Sequence, residues 1–396
     1  MEDSNADFGG ARIISHGVGP VLEKFSNVSR IAVLRGGGLG DLMFALPAMS
    51  ALKAAYPEAS LTLLGTPMHA ELLSQTEGPV DETVILPFSQ GVRPGAEDKD
   101  ELENFFGRMR ERNFDLAVQL HGGGRYSNPF LLRLGARHTV GTRTPDAARL
   151  ERTVPYLYYQ HEPMRALEVA GFAGAAPVEL EARMWTMPEF RQRLTARLER
   201  LQSSPERGRV VIHPGATDPR RRWPAERFGA VARMAADDGF RVLVIGDHSE
   251  KELAEAVVEH AVGRGAAGNP PQTRPQVESL AGQLGLGELA ALLTDCSVVV
   301  ANDSGPRHLA QALGAPTVGV FWTGNAINAG PLGRSLHRIH LGWTTRCGVC
   351  GVDMTQVGWT APRCPHDEST VEAVAPEAVY EDVLQLTAMS LPPRGR

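Results

Sequence analysis

The chain of 396 residues is long enough for two domains, each able to bury its own core. Its 42% hydrophobic and 22% charged residues are those of a globular protein, and a formal net charge of −6 gives no general reason to expect nucleic-acid binding. Four cysteines in a chain of this size do not form a disulfide framework, and no apolar run approaches the ~20 residues of a membrane span.

Residues 1–28 read as a loosely ordered leader, polar and glycine-containing, without a basic-then-apolar signal sequence. A cytoplasmic protein is expected, with peripheral contact at the inner face of a membrane left open. From Arg30, candidate strands Ile31–Leu34, Leu61–Leu64, Thr83–Leu86 and Leu116–Leu120 alternate with candidate helices Asp41–Ala55, Met68–Ser74, Glu101–Glu111 and Asn128–Leu134. Alternation of this kind implies a parallel sheet covered on both sides. Between Thr142 and Met187 the pattern loosens around Tyr156, Tyr158 and Tyr159, which suits irregular surface structure or the floor of a binding cleft.

A charged helix and linker over 188–208 separate this Rossmann-like unit, 29–187, from a second one over 209–370. There the expected strands are Val210–Ile212, Val242–Ile245, Val298–Ala301 and Thr317–Phe321, and the helices Ala225–Asp238, Lys251–His260, Glu288–Thr294 and Pro306–Leu313. Gly263–Gln276 reads as a loop, and residues 371–396 as a last helix, from about Pro376 to Met389, with a tail. The fold class is α/β, and two Rossmann-like units in tandem are expected to offer a cleft between two sets of strand ends.

Three turns could carry chemistry. The first strand stops at Gly36-Gly37-Gly38, followed by Gly40-Asp41. The turn lacks the dinucleotide fingerprint, so Asp41 is either a helix cap or a general base facing the cleft. The second turn, His213-Pro214-Gly215-Ala216-Thr217 with Arg220-Arg221-Arg222-Trp223-Pro224, follows the first strand of the second unit, where amides and a guanidinium suit phosphate oxygens. The third is Asn302-Asp303-Ser304-Gly305-Pro306-Arg307-His308, a polar turn opening a helix whose N-terminal amides suit a pyrophosphate. A fourth segment, His121 to Asn128, lies at another strand end of the first unit and should border an acceptor through His121, Arg125 and Asn128, with capping by Ser127 or Asn128 as the plainer role.

These turns resemble the heptosyltransferase-type glycosyltransferases of family nine. The residues carrying the resemblance are Arg35 with Gly40-Asp41, Pro214-Gly215-Ala216 with Arg221-x-Trp223-Pro224, and Asp303-Ser304-Gly305-Pro306-x-His308. Asp115-Leu116 with Gly122, Gly246 with Glu250, and Gly330-Pro331 follow in the family's order. The resemblance implies a GT-B architecture and inverting, metal-independent transfer of a sugar from a nucleotide-diphospho-sugar, ADP-heptose first, to a glycan or lipid-linked acceptor such as lipopolysaccharide core. It further implies Asp41 as general base with Gly40 at the acceptor. On the donor side it implies Arg221 on phosphate in place of the usual lysine, Ser304 and Gly305 on the pyrophosphate, Asp303 on the sugar and Glu250 on the ribose. Thr217 and His308 complete the donor set. No cofactor is expected.

Cys347, Cys350, Cys364 and His366 form a zinc-like group of three thiols and an imidazole. Their spacing is not that of a standard finger, so reduced thiols are preferred to a metal site. The alternatives to a heptosyltransferase are transfer to another glycan or a secondary metabolite, a nucleotide-sugar epimerase of related fold, and a non-catalytic nucleotide-sugar-binding protein.

Overall fold

The computed structural model describes residues 18–200, 207–263, 276–355 and 364–389. Most of the expected leader, the Ser203–Pro205 linker, most of the loop over 263–276 and the last seven residues lie outside these. By internal contacts the chain divides into unit 1, Met1–Leu73 with Gly78–Ala182, and unit 2, Ser74–Glu77 with Arg183–Arg396.

Unit 1 is built on a six-stranded sheet of β1 (Arg30–Leu34), β2 (Ser60–Gly65), β4 (Glu82–Ile85), β5 (Leu116–Gln119), β6 (His138–Arg143) and β7 (Arg152–Pro155). The spatial order is β4-β2-β1-β5-β6-β7, and every pair is parallel. Its helices are α1 (Leu39–Ala55), α2 (Pro67–Leu73), α3 (Lys99–Glu111), α4 (Ser127–Leu132) and α5 (Glu162–Phe172). Residues 31–34 of β1 are fully buried, as expected of a central strand covered on both faces.

Unit 2 repeats the plan with β9 (Arg209–His213), β10 (Arg241–Val244), β11 (Val277–Ser279), β12 (Val298–Asn302), β13 (Thr317–Trp322) and β14 (His337–Gly342), in the parallel order β11-β10-β9-β12-β13-β14. The short strand β3 (Thr76–Glu77) pairs with β8 (Trp185–Thr186) in a separate antiparallel ladder. Helix α6 (Pro188–Arg200), expected to be a linker, packs within unit 2 on α9 (Leu286–Asp295). The others are α7 (Ala225–Asp237), α8 (Lys251–Val262), α10 (Gly305–Ala312), α11 (Thr323–Ala329) and α12 (Pro376–Thr387).

Numbered within each sheet, both units have the strand order 3-2-1-4-5-6 of the doubly wound Rossmann fold. The order reverses between β1 and β5 in unit 1, and between β9 and β12 in unit 2. Such switch points leave a crevice at the carboxyl ends of the strands, and all four turns singled out from the sequence follow one of these four strands.

Candidate active site

Register decides what meets at the unit 1 switch point. Leu34 pairs with Gln119, so Arg35 and Leu120 each stand one residue past the ladder. The Arg35 guanidinium donates to the Leu120 carbonyl and, through Nε at 2.9 Å, to the Asp41 carbonyl. It also pairs with Asp41 Oδ1 at 2.6 Å. Asp41 Oδ2 accepts from the Gly38 amide at 2.9 Å, and the carboxylate remains 45% exposed. The helix opens at Leu39, two residues before the expected start, which puts Asp41 at its third position, bonded back to the amide before the helix. Gly40 lies in that first turn.

Two of the three glycines have internal reasons. Gly37 has φ +91°, and a Cβ there would stand 2.4 Å from Asp41 Oδ2. A Cβ at Gly36 would meet the Val92 carbonyl at 2.3 Å and the His121 ring at 3.1 Å. His69, fully buried, directs Nε2 at the Gly38 carbonyl, 3.1 Å away, and burial lowers its pKa.

The segment after β5 divides into a surface and a brace. His121 Nε2 faces the Gly91 carbonyl at 3.1 Å; burial, joined by the Arg35 charge, pushes it down to about 4, so the ring is neutral near pH 7. Arg125 is exposed, 3.6 Å from Asp146 and lying over the Tyr126 ring. Asn128 is fully buried, with Nδ2 donating to the carbonyls of Ala148 at 2.9 Å and Thr142 at 3.1 Å. In this structure Asn128 thus holds the loop from inside, the plainer of the two roles expected for this segment, and does not face solvent. Gln119, fully buried, does similar work by donating to the His121 carbonyl at 2.8 Å.

Sequence reading missed Glu162 and Arg165, because they sit on α5 in the stretch that looked irregular. Glu162 pairs with Arg165 and lies 3.9 Å from Arg35. Arg165 stacks over Tyr156 and donates to the carbonyls of Leu157 and Tyr158, which orders the tyrosine segment. A small pocket beside Arg35 is lined by Gly122, Thr142, Glu162 and Arg165.

In unit 2 the same register logic applies. Ala301 pairs with His213, so Asn302 and Pro214 lie side by side past the ladder. Asn302 is fully buried; its Nδ2 donates to the Pro214 carbonyl at 2.7 Å, and its Oδ1 accepts from the Trp223 amide at 3.0 Å. One side chain thus joins the two candidate phosphate-binding turns, a role invisible in the sequence.

His213 bridges Ser304 Oγ at 2.9 Å and Glu250 Oε2 at 3.2 Å. Burial works against the charge of Glu250, but His213 and the Asp247 amide outweigh it and hold the carboxyl below its usual range. Glu250 lies across the backbone of Gly215, where a Cβ would fall 1.7 Å from Oε1. Thr217 is exposed in the same turn. Because the Ser304 hydroxyl is turned to His213, it does not cap α10, whose N-terminus begins at Gly305.

Asp303 is buried, and its oxygens are taken by protein. His308 Nε2 lies at 2.9 Å, Asn325 Nδ2 donates at 2.8 Å and Arg221 pairs at 3.3 Å. Burial would raise its pKa, but the bond to His308 and the charges of Arg221 and Arg307 hold it low. The carboxylate implied to touch donor sugar is therefore turned inward, where it orients Arg221, itself part-exposed. Asn325, on a helix not expected from sequence, completes this cluster.

Cys347, Cys350, Cys364 and His366 also come together, with their candidate ligand atoms all within 4.8 Å of one another.

Residues 103–354 match the family described as glycosyltransferase family 9 (heptosyltransferase). Lipopolysaccharide heptosyltransferase 2 of Escherichia coli strain K12 is 25% identical over 321 residues, covering 79% of this chain and 88% of the relative. Among solved structures, the family 9 glycosyl transferase of Veillonella parvula DSM 2008 superimposes with a TM-score of 0.69 at 18% identity, covering 91% of this chain and 97% of that one. E. coli ADP-heptose lps heptosyltransferase II gives a TM-score of 0.67 at 19% identity, with coverage of 91% and 98%. The paired Rossmann-like units are thus those of the GT-B fold. With the family matched over more than half its length, the chain belongs to glycosyltransferase family 9, the heptosyltransferases, and is a glycosyltransferase.

Proposed function

We propose that this glycosyltransferase is an inverting, metal-independent enzyme that moves a heptose from a nucleotide-diphospho-heptose, ADP-heptose first, to a hydroxyl of a glycan or lipid-linked acceptor such as lipopolysaccharide core. The names of the E. coli relatives support the donor and acceptor classes. The observation that carries the reaction type is Asp41, a half-exposed carboxylate fixed by Gly38 and Arg35 at a switch point.

The acceptor hydroxyl gives its proton to Asp41 as its oxygen bonds to the anomeric carbon. The bond to the diphosphate breaks, and the electron pair leaves with the phosphate. Two of the roughly four lone-pair sites of a carboxylate are used by Gly38 and Arg35, so a site for the proton remains. Charge on the departing diphosphate is met by Arg221 and by the amides at the start of α10, contacts of the type that supply transition-state stabilisation without a metal. Asp303, His308 and Asn325 hold Arg221 in place for that work, while Glu250 and Thr217 are assigned to the nucleoside end. Work at the inner face of a membrane fits such an acceptor, and among the described residues no helix is long and apolar enough to cross one.

Arginine at 221 instead of the family's usual lysine favours testing a second donor class alongside the first. A thermal-shift panel of ADP-heptose with ADP-, GDP-, UDP- and dTDP-hexoses decides this. ADP-heptose is expected to raise the unfolding temperature most; stabilisation by another donor with none from ADP-heptose would remove the donor assignment.

A further inference from the structure

We propose that Cys347, Cys350, Cys364 and His366 bind one structural zinc ion that fastens the Arg220–Arg222 turn. The first two ligands sit on a small hairpin. Arg346 and Asp353 form an antiparallel bridge, the Cys347 amide donates to the Val352 carbonyl at 3.0 Å, and the Gly351 amide donates to the Cys347 carbonyl at 2.9 Å. Gly351, at φ +70°, lets the chain turn back immediately after Cys350. A Cys-x-x-Cys-Gly turn of this form aims both sulfurs to the same side.

Cys364 and His366 close the group. Cys350 Sγ lies 3.6 Å from Cys364 Sγ, and His366 Nδ1 lies 3.5 Å from Cys364 Sγ and 3.8 Å from Cys347 Sγ. Tetrahedral zinc with its usual bonds to sulfur and nitrogen requires ligand–ligand separations of about 3.5–3.8 Å. The three measured distances fall in that range. All four cysteines of the chain are free, so these sulfurs are not tied up in disulfides. Three soft thiolates and one imidazole, three of their separations at tetrahedral spacing and all within 4.8 Å, suit zinc, and four protein ligands make a closed, structural site. On binding, the thiols lose their protons to solvent and His366 offers a neutral ring nitrogen.

The site has a mechanical consequence. Cys347, Met354 and Cys364 are buried in one apolar cluster with Trp223 and Val371. Just beyond His366, the Thr370 amide and hydroxyl donate to the Arg220 carbonyl at 2.8 and 2.9 Å, and Ser369 Oγ donates to the Arg222 carbonyl at 2.7 Å. The zinc would thus anchor the segment that grips Arg221 from both sides. This last step rests on the role proposed above for Arg221; the metal site itself does not.

The test is elemental analysis of the purified full chain after dialysis against metal-free buffer. About one zinc per chain is expected, falling sharply in Cys350→Ser, whose side chain is the exposed member, and in Cys364→Ser. Cobalt added to the metal-stripped wild-type chain should give the visible bands of a tetrahedral thiolate complex, a readout that needs no variant. Absence of bound metal before and after zinc or cobalt addition, with the thiols reacting freely with Ellman's reagent, would overturn the site. Stoichiometric iron would overturn the choice of zinc, and full zinc retention in both variants would place the ion elsewhere. Zinc removal should also weaken binding of whichever nucleotide-sugar stabilises the chain; unchanged affinity would sever the link to Arg221 and leave the zinc site standing.

Discussion

The oxygens of Asp41 are divided between a helix cap and an ion pair, Oδ2 to the Gly38 amide and Oδ1 to Arg35. Asparagine can keep the amide contact through its carbonyl oxygen but cannot accept a proton from a hydroxyl. Asp41→Asn is therefore expected to lower kcat by ~10²–10⁴-fold with donor affinity nearly unchanged, a loss of the size general bases typically contribute. Steady-state kinetics beside a donor titration reads both, and near-wild-type turnover would exclude Asp41 as the base. Arg221 belongs to the opposite case, because its contact is to charge that grows as the bond breaks. Replacing it by Gln removes a charge-assisted bond worth ~1.5–3 kcal/mol, so kcat/KM should drop by about 10–100-fold. Lys at the same position should recover part of this by restoring charge without the planar fork; equal activity of Gln and wild type would release Arg221 from the diphosphate. The turns that hold Asp41 and Arg221 were legible in the sequence as segments following strands, but the reason for the glycines was not: Gly36 and Gly37 make room for Val92, His121 and Asp41 itself.

Among the elements, those legible in advance were the ones whose burial is continuous. Strands β1, β5, β9 and β12 are apolar runs covered on both faces, and the turns after them could be located to within a residue or two. The strands that escaped are polar or short. β14 reads His-Arg-Ile-His-Leu-Gly with most residues half-buried, β11 has three residues, and β6 carries Gly141 packed against Gln119. Helix α5 escaped because a tyrosine- and proline-rich segment precedes it, and Glu162 and Arg165 escaped with it. Tertiary bridges were illegible for a different reason: Asn302 reads as an ordinary turn residue until register sets it beside Pro214. Its importance can be measured. Asn302→Leu would strip the buried Trp223 amide and Pro214 carbonyl of their partner, at ~1–3 kcal/mol for each orphaned group. We expect the urea midpoint of unit 2 to fall accordingly, with donor binding weakened because both phosphate-side turns loosen. A midpoint indistinguishable from wild type would show that the two turns are held independently of this side chain.

At the scale of the whole molecule, one strand order is used twice and the two copies have diverged in what they carry. All five tryptophans belong to unit 2. Tryptophan fluorescence therefore reports unit 2 alone, while far-ultraviolet circular dichroism reports both, and the two transitions can be followed in one sample. Acid is expected to act strongly on unit 1. His121 is pushed down to about 4, mainly by burial and then by Arg35, and burial also lowers His69. An unfolded histidine titrates near 6.5, so between about pH 6.5 and 4 the unfolded unit binds more protons than the folded one. Stability from these neutral rings is thus complete above about pH 6.5 and is lost as pH falls through that window; the His121 shift alone corresponds to on the order of 3 kcal/mol. In unit 2, His337 is lowered to about 3 by burial and the nearby Arg307, so a similar loss should extend to lower pH there. His121→Gln removes the proton site while keeping, near the position of Nε2, an amide that can donate to the Gly91 carbonyl, and should flatten the pH dependence of the dichroism transition that has no fluorescence counterpart. The fluorescence transition should be unaffected by that change. A unit 1 midpoint that is flat from pH 7 to 4.5 in the wild type, or equally steep in the variant, would show that His121 is not held neutral by the fold.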